Sequence, residues 1–299
     1  MTVTGPSRTL QLPLQTSEMS GVFSPDRTRL LTIDDRTIHL WEVDTGNCLY
    51  MLTGHNGPVS ALAWTADQQW VASGGFDDRC IRVWDVGSGE CLRVLPGHRA
   101  YVRSVEFSPS REQILSGSGD GLVLLWELSS GKLLQRFEGH TDGVYHAVFD
   151  ASTTRILSGG RDRTIRLWEV RSGRCLKVMT GPGDHIQCLA WHADQRQFLS
   201  CADDIRLWDS ETGDCLRVFQ GHRDTIRTVA WSHDQRQVLS ASHDRSVRIW
   251  DSETARCNQV LQGHEDCVVN AVWTLDRRHV ISCDSSGGLR WWAMNGVTR

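Results

Sequence analysis

The sequence predicts an all-β fold: one seven-bladed propeller of four-stranded antiparallel blades, its ring closed by an N-terminal strand that joins the last blade. Two rulers running through the chain predict it. Tryptophan recurs at 41, 84, 126, 168, 208, 250 and 292, with spacings of 43, 42, 42, 40, 42 and 42 residues. Gly-His pairs at 54–55, 97–98, 139–140, 221–222 and 263–264 start the second ruler. An aromatic follows each His by nine residues (Trp64, Phe107, Phe149, Trp231, Trp273) and a serine by eighteen (Ser73, Ser116, Ser158, Ser240, Ser282). The offsets persist where the His is missing: Pro182 precedes Trp191 and Ser200, and Leu14 precedes Phe23 and Thr32. Self-similarity at a period of about 42 residues, with four short β-like runs per unit, is the pattern of a propeller blade.

Each unit divides the same way. In the third, "YVRSVEF", "QILSG", "LVLLWEL" and "KLLQRF" alternate or run apolar, as strands do, and "SPSRE", "SGDG" and "SSGK" separate them as turns. A glycine sits five residues after Trp at 46, 89, 131, 173 and 213, where a hairpin needs positive φ. Ala255 takes that place in the sixth unit, so its turn is expected to differ. After Trp292 only "AMNGVTR" remains, too short for a turn and a fourth strand. The N-terminal "RTLQLP" resembles "CLRVLP" at 91–96, so residues 8–12 are expected to supply the missing outer strand and remove the open edge. Residues 1–299 thus read as one propeller domain of seven repeats. The initiating Met and the full count of units argue for a self-sufficient piece, although such rings also form modules of longer proteins.

Composition narrows the function. Net charge is −4 and no basic stripe occurs, which disfavours nucleic acid as the partner. No run of eighteen apolar residues is present to span a membrane, and the N-terminus lacks the apolar core of a signal peptide. The ten cysteines include no CxxC pair. Cys48, Cys91, Cys175, Cys215 and Cys257 all fall seven residues after a repeat Trp, a slot that Leu133 fills in the third unit. A slot shared by Cys and Leu reads as buried and apolar. Unpaired thiols without a leader point to a reducing, cytoplasmic location, with no disulfide, metal or cofactor expected.

With these marks assembled, nearly the whole chain resembles the WD-repeat family. The dipeptide after which that family is named occurs with Asp85, Asp209 and Asp251, with acidic variants Glu42, Glu127 and Glu169, and with Ala293 as a departure. The resemblance implies that His, Ser, Asp and Trp form structural tetrads rather than a Ser-His-Asp hydrolase, since a catalytic triad has no need of several copies in one ring. The implied sets are His55, Ser73, Asp77 and Trp84; His98, Ser116, Asp120 and Trp126; His140, Ser158, Asp162 and Trp168; and His222, Ser240, Asp244 and Trp250. Three units depart: Pro182 stands in for His in the fifth, Ser286 for Asp in the seventh, and Leu14 and Thr32 for His and Ser in the first. These blades are expected to be held more loosely by polar bonds.

The distance from Ser (Thr32 in the first unit) to Trp runs 9, 11, 10, 10, 8, 10 and 10, so length variation falls in the turn between the second and third strands. In the family this turn faces the same side as the Gly-His loop. Variation confined to one set of loops on a rigid scaffold marks a binding surface. The positions that the resemblance places around the mouth carry Phe76, Tyr101, Arg103, Tyr145, Arg161, His185, Arg227 and His243, residue types enriched at interface hot spots. Asp34 and Asp203 oppose the positive charge there.

The expected function is a non-catalytic interaction scaffold that takes a protein or peptide, acidic or phosphorylated, at this mouth, and that is monomeric on its own. Two alternatives stay open. One is a small-molecule enzyme in the central channel, for which His185, His243 and Asp203 are the candidates, without metal-like spacing. The other is a nucleic-acid-associated adaptor using the mouth arginines.

Overall fold

The computed structural model describes residues 2–13, 21–181 and 183–294. Leu14 and Pro182, at the His position of the first and fifth units, and Ser17 and Met19, which the family resemblance places at the mouth, lie outside the described residues. Seven sheets form the ring, and no helix occurs among the described residues. Blade four shows the plan: strands Val144–Phe149, Arg155–Gly160, Thr164–Glu169 and Cys175–Thr180 pair antiparallel in sequence order. Blades one, two, three, five and six repeat it over 21–52, 59–96, 102–137, 188–219 and 226–262. Blade seven takes three strands from 268–293 and its outermost from Arg8–Gln11, which runs antiparallel to Gly288–Ala293.

The period-2 alternation explains where the core lies. Each middle strand is buried on both faces, so the apolar clusters sit between neighbouring blades. One such cluster joins Leu115, Leu125 and Phe137 of blade three to Val144, Phe149, Ile156 and Trp168 of blade four. Trp84, Trp126, Trp168, Trp250 and Trp292 are among the largest fully buried side chains. Each contributes roughly 1.5–3 kcal/mol by leaving water, and none of the core is local to one repeat.

Side chains on the innermost strands also tie blade to blade. Trp64 Nε1 donates to the Val22 carbonyl (3.1 Å), Ser60 Oγ to the Val102 carbonyl (2.5 Å), and Asn270 Nδ2 to the Gly21 carbonyl (2.8 Å). Among the described residues no such side-chain bond crosses the seam between blades six and seven, where an apolar cluster around Leu261, Val268 and Trp292 fills the space. The N-terminus spans that seam from outside. Thr2–Thr4 adds a fifth strand to blade six, parallel to Cys257–Gln262, before the chain enters blade seven at Arg8. The repeat register predicts the strand in blade seven but not the one on blade six, since a three-residue run of "TVT" carries too little pattern.

Two expectations need correction. The cysteine slot after Trp is not a buried apolar position: Cys48, Cys91 and Cys215 are exposed, and Cys175 and Cys257 are half-buried. It opens the outermost strand at a bulge, and each thiol donates to the carbonyl two residues on, as Cys91 does to Arg93 at 3.3 Å. The turn at Ala255 does not differ either. Ala255 adopts φ +56°, beside +71° to +82° for the glycines at 46, 89, 131, 173 and 213. The six-residue hairpin therefore dictates the backbone even where a Cβ opposes it.

Candidate binding face

The polar repeat builds the face first. In blade four, Trp168 Nε1 donates to Ser158 Oγ (2.7 Å), which lies 2.7 Å from His140 Nε2, and His140 Nδ1 lies 2.8 Å from Asp162 Oδ2. A carboxylate only accepts, so Nδ1 carries the ring proton and Nε2 accepts from the serine hydroxyl. The same chain runs through His98, Ser116, Asp120 and Trp126, and through His222, Ser240, Asp244 and Trp250. Burial raises these carboxyls, but the hydrogen bonds from His and from backbone N–H groups outweigh it. Asp120 is drawn down to about 2, and Asp162 and Asp244 fall lower still. Burial keeps His55, His222 and His264 below the ordinary histidine range despite their acid partners.

In blade two the acid is Asp78, not Asp77: His55 Nδ1 lies 2.8 Å from Asp78 Oδ2. This turn is one residue longer than in blade three, and the carboxylate that reaches the ring is the one displaced by that insertion. In blade seven the expected loss does not occur. Asp284, only two residues beyond Ser282, lies 2.7 Å from His264 Nδ1 and also accepts from Arg290 Nη1 (2.9 Å). Its carboxylate further accepts from Ser286 Oγ at 2.9 Å, so the residue standing where Asp was expected now supports the acid that replaces it. Blades one and five keep only the indole bond, from Trp41 to Thr32 (2.8 Å) and from Trp208 to Ser200 (2.8 Å).

Two members of the blade-two tetrad, with the neighbouring Cys80, form the one group of metal-type donors among the described residues. His55, Asp78 and Cys80 place ligand atoms within 4.8 Å of one another. The Arg82 guanidinium, 3.8 Å from Asp78 Oδ2, sets a positive charge against any cation there.

Above the tetrads the strand ends converge. In five blades the same backbone bond fixes two rim residues together: Phe76 to Pro58, Gly119 to Tyr101, Arg161 to Gly143, His243 to Thr225 and Ser285 to Cys267, at 2.7–2.9 Å. A depression of about 860 Å³ opens at the ring centre. Seven of the eight mouth residues named from sequence line it: Phe76, Tyr101, Arg103, Tyr145, His185, Arg227 and His243. Arg161 does not; it is exposed and turns to Asp142, with Nε 3.7 Å from Oδ2. Asp34 and Asp203 are also absent from the lining, Asp34 lying 3.9 Å from His39, while Asp266, which the repeat register did not single out, supplies a carboxylate there.

The lining is organised. Phe76 and Tyr101 stack with centroids 4.8 Å apart and planes at 10°. Gly119 permits this, since a Cβ there would lie 2.5 Å from Tyr101 Cε1. Tyr145 meets His185 edge-on at 5.8 Å, and the Arg103 guanidinium lies 5.8 Å from the Tyr145 ring centre. Arg103 donates to the Ser60 carbonyl at 3.2 Å. Among the described residues neither Arg103 nor Arg227 has a carboxylate oxygen within 4.0 Å. Burial, together with the charge of Arg227, draws Arg103 down to about 10; burial lowers Arg227 as well. Two like charges therefore feel each other in a partly desolvated basin, and the Asp266 carboxylate in its lining forms an ion pair with neither.

Comparison with known proteins agrees with this architecture. The family model described as "WD domain, G-beta repeat" matches residues 46–85, 89–127, 131–169, 173–209, 213–251 and 255–293. No curated protein matches the chain. Six matched repeats, with the strands at 21–42 as the seventh unit of the same ring, place this protein in the WD-repeat family of β-propellers, whose members generally serve as protein-interaction scaffolds.

Proposed function

We propose that the protein is a non-catalytic scaffold whose central basin binds an acidic or phosphorylated peptide carrying an apolar side chain next to the charge. The pairing of Arg103 with Arg227, two desolvated guanidiniums without a carboxylate partner, carries this reading. An anion seated between them supplies the missing counter-charge and makes charge-assisted hydrogen bonds. The Phe76–Tyr101 stack and the Tyr145 face, on the same basin, cover the apolar neighbour. Cytoplasmic location is part of the same proposal, since ten cysteines stand unpaired.

The test uses fluorescent peptides that place phosphoserine, glutamate or serine beside leucine. The phosphoserine and glutamate peptides bind and the serine peptide does not. Arg103→Ala and Tyr145→Ala each weaken binding by roughly 1–3 kcal/mol without altering the melting curve. Arg196, exposed in the hairpin turn between the first two strands of blade five, is the control, and Arg196→Ala leaves binding unchanged. If Arg196→Ala abolished binding while the basin variants retained it, the basin would be the wrong face.

A further inference from the structure

Below the basin the innermost strands enclose a narrower channel of about 260 Å³, which shares Arg103, Tyr145 and Arg227 with the basin above. One register position recurs around its wall, where the first strand of each blade faces the second. The pairs there are Ala61 with Gly74, Ser104 with Gly117, His146 with Gly159, Thr228 with Ala241 and Asn270 with Cys283. In blade five both partners are cysteines, Cys188 opposite Cys201.

We propose that Cys188 and Cys201 are a redox couple that closes to a cross-strand disulfide when a peroxide enters the channel. Register alone brings them within reach. Residues directly opposite in an antiparallel pair have Cα atoms about 4.5–5.5 Å apart, inside the roughly 4.4–6.8 Å that a disulfide spans. Their side chains also leave the sheet on one face, as directly opposed residues do. Cys188 lines the channel at 9% exposure, while Cys201 behind it is fully buried.

Their surroundings divide the labour. Hydrogen bonding from the Cys201 thiol holds Cys188 below the ordinary thiol range; burial opposes this, and His146 assists. The His146 ring is fixed by the Leu189 N–H, which donates to Nδ1 at 3.2 Å. Burial pushes Cys201 well above that range. A low thiol on the channel wall in front of a fully buried partner is the arrangement of an attacking and a resolving cysteine.

The chemistry balances with hydrogen peroxide as oxidant. The Cys188 thiolate attacks one peroxide oxygen, the O–O bond breaks, and the departing hydroxide takes a proton to become water. Cys188 is then a sulfenic acid. The Cys201 sulfur attacks the Cys188 sulfur, the S–O bond breaks, and the thiol proton leaves with the hydroxide as a second water. Two thiols and one peroxide thus give one disulfide and two waters. The bond would join the first two strands of blade five, which has only the Ser200–Trp208 bond of the tetrad.

The full chain is treated with stoichiometric peroxide, alkylated and digested with trypsin, which cuts after Lys177, Arg196 and Arg206. The expected product is peptide 178–196 joined to peptide 197–206. In Cys201→Ser, dimedone traps Cys188 at least tenfold faster than it traps Cys283, which burial pushes beyond the thiol range in the same ring. Recovery of both peptides as alkylated thiols, at a dose that oxidises exposed Cys48 and Cys91, would overturn the proposal. So would equal trapping of Cys188 and Cys283. Should Cys201→Ser fail to fold, the wild-type peptide map decides alone. Peptide binding at the basin is not read in this experiment, so the two proposals fail separately.

Discussion

Blades five and seven both interrupt the polar repeat, and they resolve the interruption in opposite ways. Blade five has an acid at the usual offset, Asp204 four residues after Ser200, as Asp162 is after Ser158. Its carboxylate nevertheless turns to Arg206, accepting from Nε at 2.9 Å and from Nη2 at 2.8 Å, and the bond from Trp208 to Ser200 is what remains of the tetrad. Blade seven has its acid two residues early and still completes the network through Asp284. Sequence offset is therefore a poor guide to the acid's role. What the fold conserves from blade to blade is a carboxylate at Nδ1 of a buried histidine, and the turn bends to deliver it. Blade two makes the same point with an insertion, reaching His55 from Asp78. Where the register places no histidine, the acid at the regular offset is free for other work.

The two blades also differ in how the chain supplies them. Blade five is continuous, whereas blade seven borrows Arg8–Gln11 from the other end of the sequence. Removing residues 1–13 is the largest perturbation expected. It strips the outer strand from blade seven and the parallel strand from blade six, exposing two edges at the seam without side-chain cross-bonds. Denaturant melts should lose their single cooperative transition, and light scattering should show concentration-dependent oligomers. A truncated chain that melts like the intact one and stays monomeric would break the closure scheme.

Next in size is Asp284→Ala. The side chain is 1% exposed and faces both His264 and Arg290, so its loss leaves the buried guanidinium only the distant contact to exposed Glu265 at 4.0 Å. The cost should be about 3–5 kcal/mol. Asp162→Ala leaves donors unpaired but strands no arginine, and should cost about 1–3 kcal/mol. Equal losses in denaturant melts would show that Arg290 adds nothing to blade seven.

Much of this was legible in the sequence because it repeats. Trp and Gly-His rulers fix seven blades, since a four-stranded unit buries its faces only against neighbours with the same period. "RTLQLP" fixes the closing strand because it copies an outer-strand pattern. Acid partners were legible only where both the turn length and the acid's offset from Ser were regular, since blade two has a longer turn and blade seven an early acid in a turn of ordinary length. In blades two and seven the chain path between Ser and Trp decides which carboxylate meets the ring, and spacing cannot state a path. Seven mouth residues were legible because the repeat register places their backbones at the rim. Arg161 shares the turn position of Phe76 and His243, but its side chain follows the local charge of Asp142 instead. The cysteine slot misled for a related reason: Leu133 and Cys91 share it, but the slot lies at a bulge on the outermost strand, where a thiol finds a carbonyl two residues on.

The difference between the blades should also appear as pH dependence. Asp120, Asp162, Asp244 and Asp284 titrate below the ordinary carboxylate range in the fold. They bind fewer protons folded than unfolded, so their contribution is present above an unfolded value of about 4 and is lost as pH falls toward 2. His55, His222 and His264 are depressed as well, so folding disfavours their charged form, and stability begins to fall as pH drops through about 6.5. Melts from pH 8 to 3 should show a plateau, a shallow decline below about 6.5 and a steeper one below about 4. Rising stability between pH 7 and 5 would contradict the assignment of neutral histidines.

The smallest expected effect is Asp204→Ala in blade five. The Asp204–Arg206 pair is bidentate, but its side chains remain 21% and 12% exposed and lie two residues apart on the turn and strand. Each partner is reached by water when the other is removed, and no buried histidine depends on the acid. The cost should be about 0–1 kcal/mol, the range of surface ion pairs, well under that of Asp162→Ala. The two substitutions remove the same side chain from the same offset after serine, in adjacent blades of one ring. A difference between them therefore isolates the histidine network from the loss of a carboxylate as such. If Asp204→Ala cost as much as Asp162→Ala in matched urea melts, the ion pair on the blade-five turn would have replaced the tetrad in strength, and blade five would be as tightly held as its neighbours by a different polar device.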